Sequence, residues 1–216
     1  MRSRLDSQLL DLKKELIVMG SLCENAIARS AKALLENQKE LAQEVPALSH
    51  QIEGKERSIE ELCLKLLLRQ HPVARDLRTI SSALKMVTDL ERIGHQSADI
   101  ADIILEGDLS AGQDLGTIHD MANAVIAMVT DSIDAFVRDD EDLARRVIAR
   151  DDVVDDLFIQ IKTSLIRRLQ QNETDGSAAL DLLMITKYLE RIGDHAVNVA
   201  LWVIYSLTGE LECETT

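Results

Sequence analysis

Two stretches decide the fold: LERIGHQSADIA at residues 90–101 and LERIGDHAVNVA at 189–200. The pentapeptide they share recurs 99 residues later. Upstream of it the halves match again, at a spacing of 102: Met19 with Met121, Leu34 with Phe136, Leu41–Ala42 with Leu143–Ala144, Val45 with Val147, and Ile52–Glu53 with Val154–Asp155. Five identical residues can arise by chance in a helical chain. Further matches at one offset make the pair an internal duplication of a unit of about 100 residues.

Each unit holds three helical segments. Leu9, Leu12, Leu16, Met19, Cys23, Ala26, Ile27, Ala31 and Leu34 recur in three- and four-residue steps, which predicts a helix over about 3–37. In QKELAQEVPALSHQ (38–51), Pro46 belongs near a helix start or a kink. A second helix is expected to follow to about Gln70, through Ile52, Ile59, Leu62, Leu66 and Leu67. His71–Pro72 breaks it, because the residue before proline disfavours helical geometry. A third helix spans about Val73–Leu105, and the three-glycine stretch EGDLSAGQDLG (106–116) is the mid-chain break. The fourth covers about 117–138, with Asp139 or Asp140 as the N-cap of a fifth that runs to about Gln171. After the loop QNETDGS (171–177) a sixth helix ends near Leu207. The expectation is an all-α chain of six helices in two repeats, residues 1–109 and 110–216, with junctions near 38, 71, 110, 139 and 173.

Composition agrees. The 216 residues carry 24 Lys plus Arg against 38 Asp plus Glu, a formal charge of −14, which repels phosphate backbones and anionic membrane surfaces. Nucleic acid is therefore not an expected partner. Five aromatic residues supply little for base stacking, while 46% apolar content suffices for a core. Two prolines and nine glycines are too few for a turn-rich β fold. Cys23, Cys63 and Cys213 form no CxxC pair, so neither a zinc-thiolate site nor a disulfide framework is indicated. The first residues, basic only at the tip and soon amphipathic, are not expected to act as a secretory signal, and no apolar run approaches the length of a membrane span. A soluble cytoplasmic protein without membrane insertion is expected; a homodimer is compatible with the sequence.

The repeated helix carries the chemistry. At 100° per residue, Glu91, His95, Asp99 and Asp102 share one narrow stripe, and Glu190, Asp194 and Asn198 occupy the same angles in the second copy. Like charges four residues apart repel, and a hard cation such as Ca, Mg, Mn or oxidised Fe would offset that repulsion. The preceding helix supplies partners: Asp151 and Asp155 in the second half, with Ser49 and Glu53 at the aligned positions in the first. An alternative register pairs Asp152 with Asp156; 151/155 is preferred because Asp155 aligns with Glu53. The other reading of all these acids is a solvated helix face.

His95 replaces an acid within its stripe, whereas His50, His71, His119 and His195 read as surface or junction residues. HExxH, the ExxH pairs of di-iron bundles, phosphate-binding glycine loops and GxSxG are all absent, and no catalytic acid–base pair stands out.

With RQHPVARDLR at 69–78 preceding the two LERIG segments, the whole chain resembles the PhoU family of phosphate-uptake regulators. The resemblance implies two similar three-helix bundles packed side by side, with multinuclear metal clusters in some members held by paired E(D)xxxD motifs. It implies a negative regulator of the phosphate regulon. Such a protein would be an adaptor, not an enzyme, linking the ATPase subunit of the phosphate ABC transporter to the phosphate-sensing histidine kinase. Carried onto this sequence, the metal residues are Asp151, Asp155, Glu190, Asp194 and Asn198 in the second half, and Glu53, Glu91, His95 and Asp99 in the first. Iron is the metal the family implies, with zinc, manganese or magnesium as alternatives. Ser49 and His95 depart from the family pattern, so tighter or more numerous metal is expected in the second half. The competing classes are a metal-dependent helical enzyme or metal-storage protein using the same carboxylates, and a bundle with no metal.

Overall fold

The computed structural model describes residues 2–70, 72–107, 109 and 115–211. His71, Cys213 and residues 110–114 of the mid-chain break lie outside them. Six helices follow in order: α1 (Arg2–Glu36), α2 (Lys39–Gln70), α3 (Ala74–Glu106), α4 (Gly116–Arg138), α5 (Glu141–Gln170) and α6 (Gly176–Thr208). There is no strand among the described residues. None of the helices is long and apolar enough to cross a membrane.

The duplication is visible in the turns. Asn37 and Asp139, 102 residues apart, both adopt left-handed backbone, φ 50° and 54°, where each closes the first helix of its half. Asn and Asp tolerate that region better than other residues with a Cβ. Asp140 then caps α5, its Oδ1 accepting from Leu143 N–H at 2.9 Å. The two adjacent aspartates therefore divide the work, one ending α4 and the other starting α5. Asp175 caps α6 in the same manner, accepting from Ser177 N–H at 2.8 Å.

One boundary differs from expectation. Pro46 lies inside α2, which begins at Lys39. Ala42 and Val45, before the proline, continue the buried stripe of Ser49, Ile52 and Ile59. Proline in a helix interior costs about 3 kcal/mol, and burying this extra turn offsets that cost. Pro46 itself faces outward.

The repeat-matched residues Met19 and Met121, Leu34 and Phe136, Ala42 and Ala144, Val45 and Val147, and Ile52 and Val154 are all buried. Packing forms two layers. α2, α3, α6 and α5 lie side by side, and α1 and α4, in contact with each other, cover one face of that layer. The opposite face is open. The halves meet through α1 against α4 and through α3 against α6. α3 and α6 run antiparallel: Arg78 near the start of α3 donates to Ser206 O near the end of α6 at 3.4 Å. Arg75 of the same motif pairs with Asp139 in the α4–α5 turn at 3.2 Å, beside Lys13 of α1 at 2.8 Å. Arg75 and Arg78 thus fasten the first half to the second. Cys23 and Cys63 are buried, and burial pushes the Cys63 thiol up to about 12.

Candidate functional site

The open face carries two grooves, one between α2 and α3 and one between α5 and α6. Each holds the glycine of one LERIG, and in the first that glycine sets the approach of the helices. At Gly94 a Cβ would lie 2.9 Å from Ile52 Cδ1, so the glycine admits Ile52 and brings α2 close. Glu53 and His95, the next residues along each helix, are thereby juxtaposed: His95 Nε2 is 3.3 Å from Glu53 Oε1 and 3.9 Å from Glu91 Oε1. His50 Nδ1 lies 3.4 Å from the other oxygen of Glu53.

A further acid, not singled out from the sequence, belongs to this groove. Glu56 is hydrogen-bonded to Glu91, and its carboxyl is pushed above the ordinary range, first by burial and then by the charges of Glu91 and Glu60. Asp99 is raised too, by burial and then by Asp102, with His95 and Arg191 pulling the other way. Three-residue spacing places Glu56 beside Glu53 on one helix face, a signal present in the sequence.

In the second groove Gly193 is less crowded. A Cβ there would meet Asp151 Oδ1 and Val154 Cγ1 at 3.5 Å, so Asp151 lies against the glycine, next to Asp194. Glu190 is ion-paired with Lys187, three residues earlier on α6. Asp155 is raised by burial, then by Glu190 and Asp152, and Lys187 opposes the shift. Asp194 is raised by burial and then by Glu190, again with Lys187 opposing, and then by Asp155. The expected acids therefore come together from two helices, with an ammonium among them that the sequence reading did not include.

Asn198 stands elsewhere. Its Nδ2 donates to Asp89 Oδ1 at 3.3 Å, and His195 Nδ1 is 3.0 Å from the same oxygen. Both belong to the seam between α3 and α6 rather than to the α5–α6 groove. His195 is the junction residue expected, while Asp89 was not anticipated, since its partners His195 and Asn198 lie on another helix.

The donor set suits a hard or borderline cation: carboxylate oxygens in both grooves and one imidazole in the first. Among the described residues, no three His, Cys, Asp or Glu side chains are gathered around one point as they stand. The first groove fits a cation in the sense that its carboxyls repel one another and face His95. In the second, Lys187 already supplies positive charge to Glu190. The grooves are also open, Asp155 and Asp194 being exposed.

The PhoU domain model matches residues 16–104 and 118–203, one match in each half. The phosphate-specific transport system accessory protein PhoU homolog of Clostridium acetobutylicum is 36% identical over 97% of this chain and 96% of its own length. The protein of the same description from Pseudomonas aeruginosa is 35% identical over 94% and 85%. The crystal structure of PhoU from Pseudomonas aeruginosa superposes with a TM-score of 0.88 at 34% identity, covering 95% of this chain and 99% of that one. The phosphate transport system regulatory protein PhoU from Streptococcus pneumoniae gives the same TM-score at 25% identity, over 97% and 99%. Matched in both halves by the family model and along nearly its whole length by these relatives, the chain belongs to the PhoU family.

Proposed function

We propose that this chain is an accessory protein of phosphate-specific transport that restrains phosphate uptake when phosphate is ample. It acts in the cytoplasm as an adaptor between the ATPase subunit of the phosphate ABC transporter and the phosphate-sensing histidine kinase. The observation that carries this reading is similarity over nearly the full length to accessory proteins of that transport system. The geometry agrees with an adaptor. An enzyme site excludes water from its reacting groups, whereas these acid grooves lie on an open helical face and hold no nucleophile with an oriented base.

The grooves are read as cation sites. Glu53, Glu91, His95 and Asp99 would hold a cation in the first, and Asp151, Asp155, Glu190 and Asp194 in the second. Iron is the metal the family resemblance favours; zinc, manganese and magnesium are alternatives. A bound cation would neutralise the clustered carboxylates and tie α2 to α3, or α5 to α6, stabilising the folded bundle by linkage.

Affinity-tagged protein isolated from cells tests the adaptor role. The expected result is co-purification of the transporter ATPase subunit or the sensor kinase above the level of a tag-only control. Recovery of neither, from cells that express both, would count against it.

A further inference from the structure

We propose that Lys187 is the fixed counter-ion of the second groove, so that a divalent cation from solution enters the first groove in preference to the second. The inference rests on the reading of the grooves as cation sites and reverses the order that counting ligands in the sequence gives.

Aligning the repeats shows how unequal the grooves are. Lys187, Phe158 and Lys162 stand where the first half has Thr88, Glu56 and Glu60. The ammonium of Lys187, on a side chain 47% exposed, pairs with Glu190, whose side chain is 15% exposed. The same ammonium lies 5.5 Å from the centre of the Phe158 ring, and that of Lys162 lies 5.6 Å from it. The face of an aromatic ring attracts cations, so Phe158 and Glu190 together hold Lys187 over the acids. A metal ion entering there meets a like charge already paired with Glu190 Oε2.

The first groove has no equivalent lysine. Its acids Glu53, Glu56 and Glu91 are joined by His95, which can turn a neutral nitrogen toward a metal. Among the described residues Arg57 pairs with Glu53 Oε2 at 3.8 Å, on a side chain 67% exposed whose Nε also donates to Glu53 O at 3.3 Å, and His95 faces the other carboxylate oxygen. The acid missing at Ser49 is thus made good by Glu56, while the second half's extra aspartate is balanced by Lys187.

Mn2+ binding to the purified full chain tests this by equilibrium dialysis, with helicity checked for each variant. The wild type should show one class of site that Glu91→Gln weakens and Glu190→Gln leaves intact. Lys187→Met should raise the affinity of the second groove about tenfold to a hundredfold, the range seen when groups around a metal site are altered. That gained site should vanish in Lys187→Met/Glu190→Gln, and Lys187→Arg, which keeps the charge, should bind like the wild type. The proposal is overturned if Lys187→Met changes neither number nor affinity of sites, or if Glu190→Gln abolishes the wild-type site. If Lys187→Met gains a site while Glu91→Gln has no effect, the reading of the first groove fails and the counter-ion role of Lys187 stands.

Discussion

One carboxylate oxygen joins the two halves of the molecule: Asp89 Oδ1 on α3 stands 3.0 Å from Nδ1 of His195 on α6 and accepts from Asn198 Nδ2 at 3.3 Å. The Asp89 and His195 side chains are only 17% and 20% exposed, so water replaces this contact poorly. Asp89→Ala leaves two donors without their acceptor. The expected loss is about 1–3 kcal/mol, read as a fall in melting temperature of roughly 2–12 °C for a chain of this size. An unchanged melting curve would show that the Asp89 contacts do not hold the seam.

The two LERIG glycines should respond differently to the same substitution. Alanine favours a helix over glycine by about 1 kcal/mol. At Gly193 the new Cβ meets its nearest neighbours at an ordinary 3.5 Å, so Gly193→Ala should be neutral or stabilising. At Gly94 it meets Ile52 Cδ1 at 2.9 Å and Cγ2 at 3.3 Å, forcing α2 and α3 apart. Overpacking of this kind costs roughly 1–3 kcal/mol, so Gly94→Ala should lower the urea midpoint. Equal effects at the two positions would contradict the unequal packing of the grooves.

The acid clusters set a pH dependence. Glu56, Asp99, Asp155 and Asp194 are each raised above the ordinary carboxyl range, with burial as the first cause. The folded state therefore holds these protons more tightly than the unfolded chain, whose carboxyls titrate near about 4. Their contribution to stability falls as pH rises from that value through the raised folded values, and it recovers on acidification from neutral pH. Metal-free Asp194→Asn should be more stable than the wild type at pH 7 and show a smaller difference from it at pH 5. Urea titrations at the two pH values check this, and a variant less stable at pH 7 would mean that Lys187 more than compensates Asp194.

Much of the fold was legible because the buried stripe repeats with the helical period, and the duplication placed each stripe twice. The αL pair Asn37 and Asp139 and the cap at Asp140 follow from residue type and position. Pro46 misled because its local cost was weighed without the burial of Ala42 and Val45, which only the packed bundle reveals. In the grooves the acids of α3 and α6 follow from helical angles, and Glu53, Asp151 and Asp155 of α2 and α5 from the alignment of the repeats. Asn198 was misplaced because a shared angle does not say which neighbouring helix faces it, and α3 rather than α5 does. Lys187 is not part of an anion pattern, although its three-residue spacing from Glu190 marks an ion pair on a helix.

Uptake of radiolabelled phosphate by cells grown at ample phosphate tests most directly whether this chain restrains phosphate uptake. Deletion of the gene should raise uptake and switch on phosphate-responsive genes, and the wild-type copy should restore restraint. A deletion strain that takes up phosphate at the parental rate, with the same gene response, would contradict the account.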